Sequence, residues 1–400
     1  MVLVVIVLAG SSSMHAQTLA PARPEAERTP GWIFTPSIGF GGSWDDNVLL
    51  VNPGDEPPSD YASPINPSVS LDFTGKRTRF STGYDGSVVL YRTLDELTSF
   101  EQYLRVALEH RATEHLTIFA QETFTMAPTT AAIPLNGGVP FYRIGSRTNA
   151  VGGGFKAALQ RHMSLRGAYT LRIVDFDFDQ LLGTQLHGGN SHELDVSLDR
   201  ALSPRLTVGG EYGLDRVTVA AGTAVDRPPD DRFNIQTGGV TASFLVSPTV
   251  TVSGALGITH LGAGLTHQSR TAPAWRAGIT HQMQHARLSG SYSRSYVPSF
   301  GFGGTLQNEE WVGSVMVPFA RNRAYAEGGI SWFNNDALEL GQPSLRSVWV
   351  SGKVGYRVTR WLRMEGFYNR AHQDSRRAGG QLSRNQIGFQ VVTARPLKIQ

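Results

Sequence analysis

The chain alternates apolar and polar residues with a period of two, and few folds satisfy that pattern along such a length. In "SVSLDFTGKRTRFSTGYDG", residues 68–86, Val69, Leu71 and Phe73 share one parity, Ser70 and Asp72 share the other, and the alternation resumes after a basic turn. A period of two predicts β-strands whose two faces meet different surroundings. Segments of this kind, about ten residues long, recur to the end of the chain, and we predict about eighteen strands, with sixteen as the alternative.

The connections between these segments alternate in length. Short turns alternate with longer polar stretches. The short turns are "GKRT", "ATEH", "QRHM", "LSP", "SPT", "MQH", "ARN" and "TRW", and the longer stretches include "NPGDEPPSDYASP" and "AAGTAVDRPPDD". Transmembrane barrels have short periplasmic turns and longer outer loops, whereas a soluble sandwich has no reason to make every second turn tight. The sequence therefore predicts an all-β fold, a transmembrane antiparallel up-and-down β-barrel over residues 31–400. A soluble or surface-attached β protein such as an adhesin is the alternative.

The two faces of the predicted strands differ in chemistry. One parity is apolar in mid-strand and carries aromatic residues near the strand ends: Trp32, Tyr84, Tyr212, Trp275, Tyr292, Trp311, Trp332, Tyr356 and Tyr368. Such residues favour the headgroup zone of a bilayer. An Arg or Lys facing hydrocarbon at mid-bilayer costs about 2–4 kcal/mol, so the charged parity must face water. The predicted pore-lining residues are Arg105, Glu109, Arg166, Arg172, Glu193, Asp195, Glu211, Arg276, Arg287, Glu327, Lys353, Arg357, Arg363, Glu365 and Arg384.

Composition narrows the function further. Charged residues make up 17% of the chain, below the roughly 25% typical of soluble domains. The net charge of +3 is small and its basic residues are dispersed, which argues against nucleic acid as a partner. The absence of cysteine excludes disulfides, thiolate metal sites and cysteine nucleophiles. No apolar run reaches the 18 residues that a transmembrane helix needs.

The amino-terminal segment has its own pattern. "MVLVVIVLAG" is too short to span a bilayer as a helix and resembles the apolar region of a secretory signal, with cleavage expected after Ala16. A buried first strand is the alternative reading. We predict a signal peptide over residues 1–16, and a periplasmic tail over the Pro- and Arg-rich residues 17–30.

Few residues suggest a metal or catalytic site. "DFDFD", Asp175 to Asp179, places three carboxylates on one parity; calcium is one interpretation, and a hydrated strand tip is the favoured one, as it is for Asp45 and Asp46. His192 and Glu193 are sequence neighbours and point to opposite faces of a strand. No HExxH motif, phosphate loop or local nucleophile–His motif is present. We therefore predict no metal, no cofactor and no enzyme activity, with a barrel hydrolase as the less favoured alternative.

Barrel width then predicts the function class. Sixteen to eighteen strands leave an aqueous channel, whereas eight are filled by their own side chains. The sequence thus predicts a porin for passive movement of small polar solutes, with both charge signs in its lumen and a transverse field if arginines face acids. The connection at residues 127–146 is the best candidate for folding inward as a constriction, although an ordinary outer loop is favoured.

Two stretches also carry a family resemblance. "FTPSIGFGGSWDDNVLL" and "INPSVSLDFTGKRTRFSTGYDGSVVLY" resemble outer-membrane β-barrel proteins of the porin-2-like type, including barrels associated with exopolysaccharide or capsule export. The resemblance is clearest over residues 32–126 and continues as a strand rhythm. It implies a Gram-negative outer membrane and passage of solutes or polysaccharide, so polymer export is the alternative function. Outer-membrane lipid, lipopolysaccharide and the barrel-assembly machinery are the expected partners. The terminal "TARPLKIQ" departs from the aromatic ending usual in such barrels.

Overall fold

The structure, a computed structural model, describes residues 31–52, 54, 56–130, 143–177, 186–220, 230–265, 267–338, 344–375 and 380–399. The predicted signal peptide and periplasmic tail, residues 1–30, lie outside these ranges and stay predictions. No helix among the described residues is long and apolar enough to cross a membrane.

The described chain is almost entirely β-strand. The strands are β1 (Gly31–Asp45), β2 (Asp60–Thr74), β3 (Thr78–Tyr91), β4 (Ser99–Arg111), β5 (Leu116–Ala127), β6 (Ser146–Gln160), β7 (Met163–Phe176), β8 (Gly189–Ala201), β9 (Leu206–Val219), β10 (Asp231–Ser247), β11 (Val250–Leu261), β12 (Arg270–Gln282), β13 (Arg287–Pro298), β14 (Thr305–Phe319), β15 (Ala324–Ala337), β16 (Leu345–Arg357), β17 (Leu362–Ser375), β18 (Gln381–Ala394) and a short β19 (Leu397–Ile399). One short 3-10 turn, Asp95–Leu97, lies between β3 and β4.

The strands form one closed antiparallel sheet. Each strand pairs with its neighbours in the chain, and β1 pairs with both β2 and β18. Strand β19 continues β18 along the first residues of β1, where Trp32 pairs with Ile399. Because β19 only extends β18, the barrel has eighteen strands around its circumference. This confirms the predicted fold class and strand number, and the sixteen-strand alternative is wrong. Closure satisfies the backbone groups that an open sheet would leave at its edges.

The two ends of the barrel differ, as the sequence predicted. At one end, here called the turn end, the connections are tight: 75–77, 112–115, 161–162, 202–205, 248–249, 283–286, 320–323 and 358–361. At the other, the loop end, they include the long stretches 46–59, 128–145, 177–188 and 220–230. The amino terminus of β1 and the carboxyl terminus of β18 both lie at the turn end, as an even strand number requires.

Strand register assigns each residue to one of two faces. One face exposes large apolar side chains over the whole circumference, among them Val240, Leu256 and Ile258, which are 65%, 67% and 62% exposed. All nine aromatic residues predicted for the apolar parity lie on this face, here called the outward face. Glu122 is an exception in mid-strand, because it pairs with Val106 and Val151 of the outward face. Arg294 and Glu309, which pair with each other, and Arg370, opposite Val350, are further charged residues on this face.

Candidate functional site

The other face of the sheet surrounds the lumen. Side chains of strands that are not neighbours can meet on the concave face of a barrel, and they do so here. Arg276 of β12 donates from Nη2 to Glu211 Oε2 of β9 at 2.8 Å, across two intervening strands. Tyr325 of β15 and Gln390 of β18 both donate to Glu365 of β17. These contacts identify the inner face of the barrel.

Register places all fifteen predicted pore-lining residues on this inner face. Some of them meet. Besides the Arg276–Glu211 pair, Arg363 Nε lies 2.7 Å from Glu365 Oε1, and Glu327 stands opposite Lys353 in the β15–β16 register. Others stay apart, because they lie on strands several places round the barrel.

One wall of the lumen is acidic. Strands β8 and β9 carry five carboxylates on the inner face, and Glu193 stands directly opposite Asp215 in their register. Like charges directly opposite each other across a strand pair repel. Basic residues flank the group, Arg172 on β7 and Arg276 on β12 among them. The members of this acidic wall are Glu193, Asp195, Asp199, Glu211 and Asp215.

A basic wall lies on the opposite side. A cavity of about 480 Å³ opens between β1–β4 and β16–β18 near the turn end. Its charged lining consists of five cations and two acids: Arg105, Lys353, Arg357, Arg360, Arg363, Asp85 and Glu365. The neutral lining is mostly hydroxyl and amide, including Ser37, Ser68 and Gln390. In the strand order, β17 and β18 lie half-way round the barrel from β8 and β9, so the basic and acidic walls face each other.

One of the two acids of the basic wall, Glu365, is held by protein partners. Glu365 is almost fully buried and is bonded by Tyr325, Gln390 and Arg363 at once. A carboxylate held by one guanidinium and two neutral donors has little capacity left for a solute. The surrounding cations of the cavity are therefore only partly neutralised by protein groups, and this wall can attract anionic groups.

An apolar cluster narrows the loop end. The inner face of β7, β9, β10 and β11 turns apolar there, and its buried members are Val174, Val217, Val219, Phe233, Ile235 and Leu261, joined by Tyr296 and Phe300. Phe300 comes from the connection 299–304 between β13 and β14 and is 3% exposed. This connection, here called the inner strap, therefore folds into the barrel instead of extending from it.

The inner strap is fixed by its backbone. His187, in the β7–β8 connection, and Gly301 exchange two hydrogen bonds, with N–O distances of 2.7 and 2.8 Å. Gly301, Gly303 and Gly304 have φ angles of 116°, 86° and 69°. Glycine adopts such angles at the lowest cost, so "SFGFGG" is suited to the tight fold. Because β7–β8 and β13–β14 are well separated round the barrel, the strap spans part of the mouth.

The connection predicted as the inward constriction lies mostly outside the described residues, since 131–142 are not among them. Its described end does pack inward against neighbouring connections. Arg143 donates to the carbonyl oxygens of Val48 and Leu97 at 3.2 and 2.9 Å. Ile144 is buried beside it. The prediction for residues 127–146 as a whole stays a prediction.

Of the acidic residues weighed as metal ligands, Asp45, Asp46 and Asp177 have protein partners, and Asp179 lies outside the described residues. Asp45 is paired with Arg384, and Asp46 accepts two hydrogen bonds from Asn385. Asp177 pairs with Arg147 at 3.3 Å. Among the described residues, no group of three or more His, Asp or Glu side chains is placed to hold a metal ion.

Comparison with known proteins gives structural neighbours only. No protein-family model and no curated protein matches the sequence. Among solved structures, the chain is similar to Acinetobacter baumannii OccAB2, with 10% sequence identity, a TM-score of 0.48 and coverage of 92% of this chain and 98% of that one. It is similar to Pseudomonas aeruginosa OpdQ at 9% identity and TM-score 0.46, covering 92% and 98%. It also resembles the unliganded ferric citrate transporter FecA, at 12% identity and TM-score 0.45, covering 89% of this chain and 63% of that one.

Proposed function

We propose that the chain forms a water-filled channel in a bacterial outer membrane, through which small polar solutes move passively. The observation that carries the proposal is the division of the closed sheet into an apolar outward face and a charged inner face. Within a bilayer, only helices and closed barrels satisfy all their backbone groups. An eighteen-stranded barrel is too wide to be filled by its own side chains, so its lumen holds water.

The inner face supports polar rather than apolar solutes. The opposed acidic and basic walls create a field across the lumen, which orients a polar or zwitterionic solute. The inner strap reduces the mouth at the loop end, which favours small solutes over a polymer. In this arrangement the turn end faces the periplasm and the loop end faces outward. Outer-membrane lipid, lipopolysaccharide and the barrel-assembly machinery are the partners that this location implies, and passive passage requires no catalytic group or cofactor.

The location is tested first. Membrane fractionation followed by an unheated gel is expected to give an outer-membrane protein whose folded band migrates differently from the heated one. A chain that stays monomeric and soluble without detergent would contradict the proposal.

Channel activity is tested in planar bilayers. The purified barrel is expected to give stepwise conductance. Neutralising the basic wall with Lys353→Gln and Arg357→Gln is expected to shift the reversal potential in a salt gradient towards cation preference. Neutralising the acidic wall with Glu193→Gln and Asp215→Asn is expected to shift it the other way. Arg200, an outward-facing arginine near the turn end, supplies the matched control, since Arg200→Gln leaves the lumen unchanged. Equal reversal potentials in all variants would refute a conducting path between the two walls.

A further inference from the structure

A basic cluster lies on the outward face of the barrel, near the loop end of β8, β9 and β10. Arg216 of β9 pairs with His192 of β8 on one side and with Asn234 of β10 on the other. In the next row towards the loop end, Thr218 pairs with Asn190 and with Arg232. Both arginines and His192 are exposed. We call these six residues the outer basic cluster.

The two guanidinium groups of the cluster are close together. Thr218 lies two residues beyond Arg216 on β9, and Arg232 of β10 stands opposite Thr218. The two arginines are therefore diagonal neighbours. Diagonal neighbours of an antiparallel pair lie roughly 7–8 Å apart, within reach of long side chains. Two like charges at this spacing repel each other unless an anion lies between them.

Protein carboxylates on strands β8 to β12 do not supply that anion. The described strands β8 to β12 carry no Asp or Glu on their outward face. The outward arginine of β13 contrasts with this arrangement, because Arg294 Nε lies 3.4 Å from Glu309 Oε1 and its guanidinium stacks 5.0 Å over Trp275. The outer basic cluster is therefore a cationic surface without an outward-facing acidic partner on its own strands.

The surroundings indicate an amphiphile rather than a free ion. Directly towards the middle of the barrel, the outward face becomes apolar and exposed, with Leu194, Val240 and Ile258. His192 is held by a hydrogen bond of 2.7 Å between its Nδ1 and the Tyr169 hydroxyl. The amides of Asn190 and Asn234 and the hydroxyl of Thr218 add groups that can bond sugar hydroxyls.

We propose that the outer basic cluster binds the phosphate of a phosphorylated glycolipid, with the acyl chains of the lipid lying on the apolar surface beside it. Guanidinium groups match phosphate geometry and form charge-assisted hydrogen bonds with it. The inference rests on the proposed function, because it requires the outward face to be in lipid with the loop end at the outer leaflet. It adds a binding site to that surface.

Binding is tested with the purified barrel in detergent, using bisphosphorylated lipid A as the probe and native mass spectrometry or a titration as the readout. The unaltered protein is expected to bind this lipid at least tenfold more tightly than the double variant Arg216→Gln, Arg232→Gln. The double variant Arg216→Lys, Arg232→Lys keeps the charge and is expected to bind better than the Gln variant. Arg200→Gln, which alters an outward arginine at the opposite end, is the matched control and is expected to bind normally.

Three comparison ligands, tested in parallel, identify the source of the phosphate. Dephosphorylated lipid A and phosphatidylglycerol are each expected to bind at least tenfold more weakly than the bisphosphorylated lipid, and millimolar inorganic phosphate is not expected to displace it. Equal binding by the Gln variant, or equal binding of either comparison lipid, overturns the proposal, as does displacement by inorganic phosphate. An unheated gel checks that every variant is folded.

Conductance separates this inference from the proposed function. Loss of the lipid preference with normal bilayer conductance overturns only the lipid site. Absence of conductance in a barrel that still binds the lipid selectively overturns only the channel.

Discussion

Arg384 of β18 binds Asp45 of β1 across the seam where the last strand of the barrel meets the first. Its Nε lies 3.1 and 2.9 Å from the two carboxylate oxygens, and its Nη2 also donates to the second. The neighbouring Asp46 accepts hydrogen bonds from the backbone N–H and the side-chain amide of Asn385, both at 2.6 Å. The side chain of Asp45 is only 2% exposed. The two ends of the sheet are thus joined by partly buried, charge-assisted hydrogen bonds in addition to the backbone ladder.

Breaking the seam pair is expected to destabilise the folded barrel. Asp45→Ala leaves the half-buried Arg384 guanidinium without its carboxylate, and removing one partner of a fully buried pair costs about 3–5 kcal/mol, which sets the upper bound here. The temperature at which the folded gel band converts to the heat-denatured band should fall. Arg147→Ala is the control, because Arg147 and Asp177 are paired at 3.3 Å with side chains 56% and 59% exposed, where solvent screens the interaction. Equal transition temperatures for the two variants would show that the seam pair does not contribute to stability.

Releasing the inner strap is expected to enlarge the conductance. Phe300→Ser removes the aromatic anchor from the apolar cluster at the loop end and places a hydroxyl there. Single-channel conductance in planar bilayers should rise, with the barrel still heat-modifiable. Phe302→Ser is the control, since Phe302 lies in the same connection and outside that cluster. An unchanged conductance in the Phe300 variant would mean that the strap does not limit ion flow.

A charge placed on the outward face is expected to destabilise the barrel, whereas the same charge in the lumen is not. Leu256→Arg puts a cation on the exposed apolar surface in the middle of β11, at a cost of about 2–4 kcal/mol in lipid. Ser253→Arg introduces the same side chain on the inner face of the same strand, where water is available. Urea or thermal unfolding in lipid vesicles measures the difference. Equal losses of stability would contradict the assignment of faces.

Glu122 offers the converse experiment. Its side chain lies on the outward face between Val106 and Val151, so Glu122→Leu is expected to stabilise the barrel in vesicles by removing a carboxylate from the apolar surface. Gln121→Leu is the matched control on the inner face of the same strand. A lower stability of the Glu122 variant would indicate that this carboxylate has a partner on the outward surface.

The barrel could be predicted from the sequence because the alternation of apolar and polar residues is visible within single strands. The parity that holds Arg105, Glu193 and Lys353 is unmistakable within a single segment, and the tight turns mark one end of every hairpin. Periodicity is a local property of each segment, so it can be recognised without knowing which strands pair with each other. The opposition of acidic and basic walls needs the strand count and the closure as well, and follows from the strand order once both are known.

The constriction could not be found in the same way. The inner strap "SFGFGG" is a connection with no periodicity, and its contact with His187 joins two distant connections. A signal for the apolar cluster was present, because the inner parity of β9 changes from Glu211 and Asp215 to Val217 and Val219 at the loop end. That change disagrees with a uniformly polar lumen, and it identifies where another segment must cover the wall.

The seam also sets the order in which the barrel can be completed. Asp45 and Arg384 are 339 positions apart, yet β1 cannot pair its second edge until β18 has been delivered. Every partly inserted chain therefore exposes two unpaired strand edges, which attract other chains. A chain that stops short of its last strand leaves the second edge of β1 unpaired, so the closed barrel can form only after β18 is present.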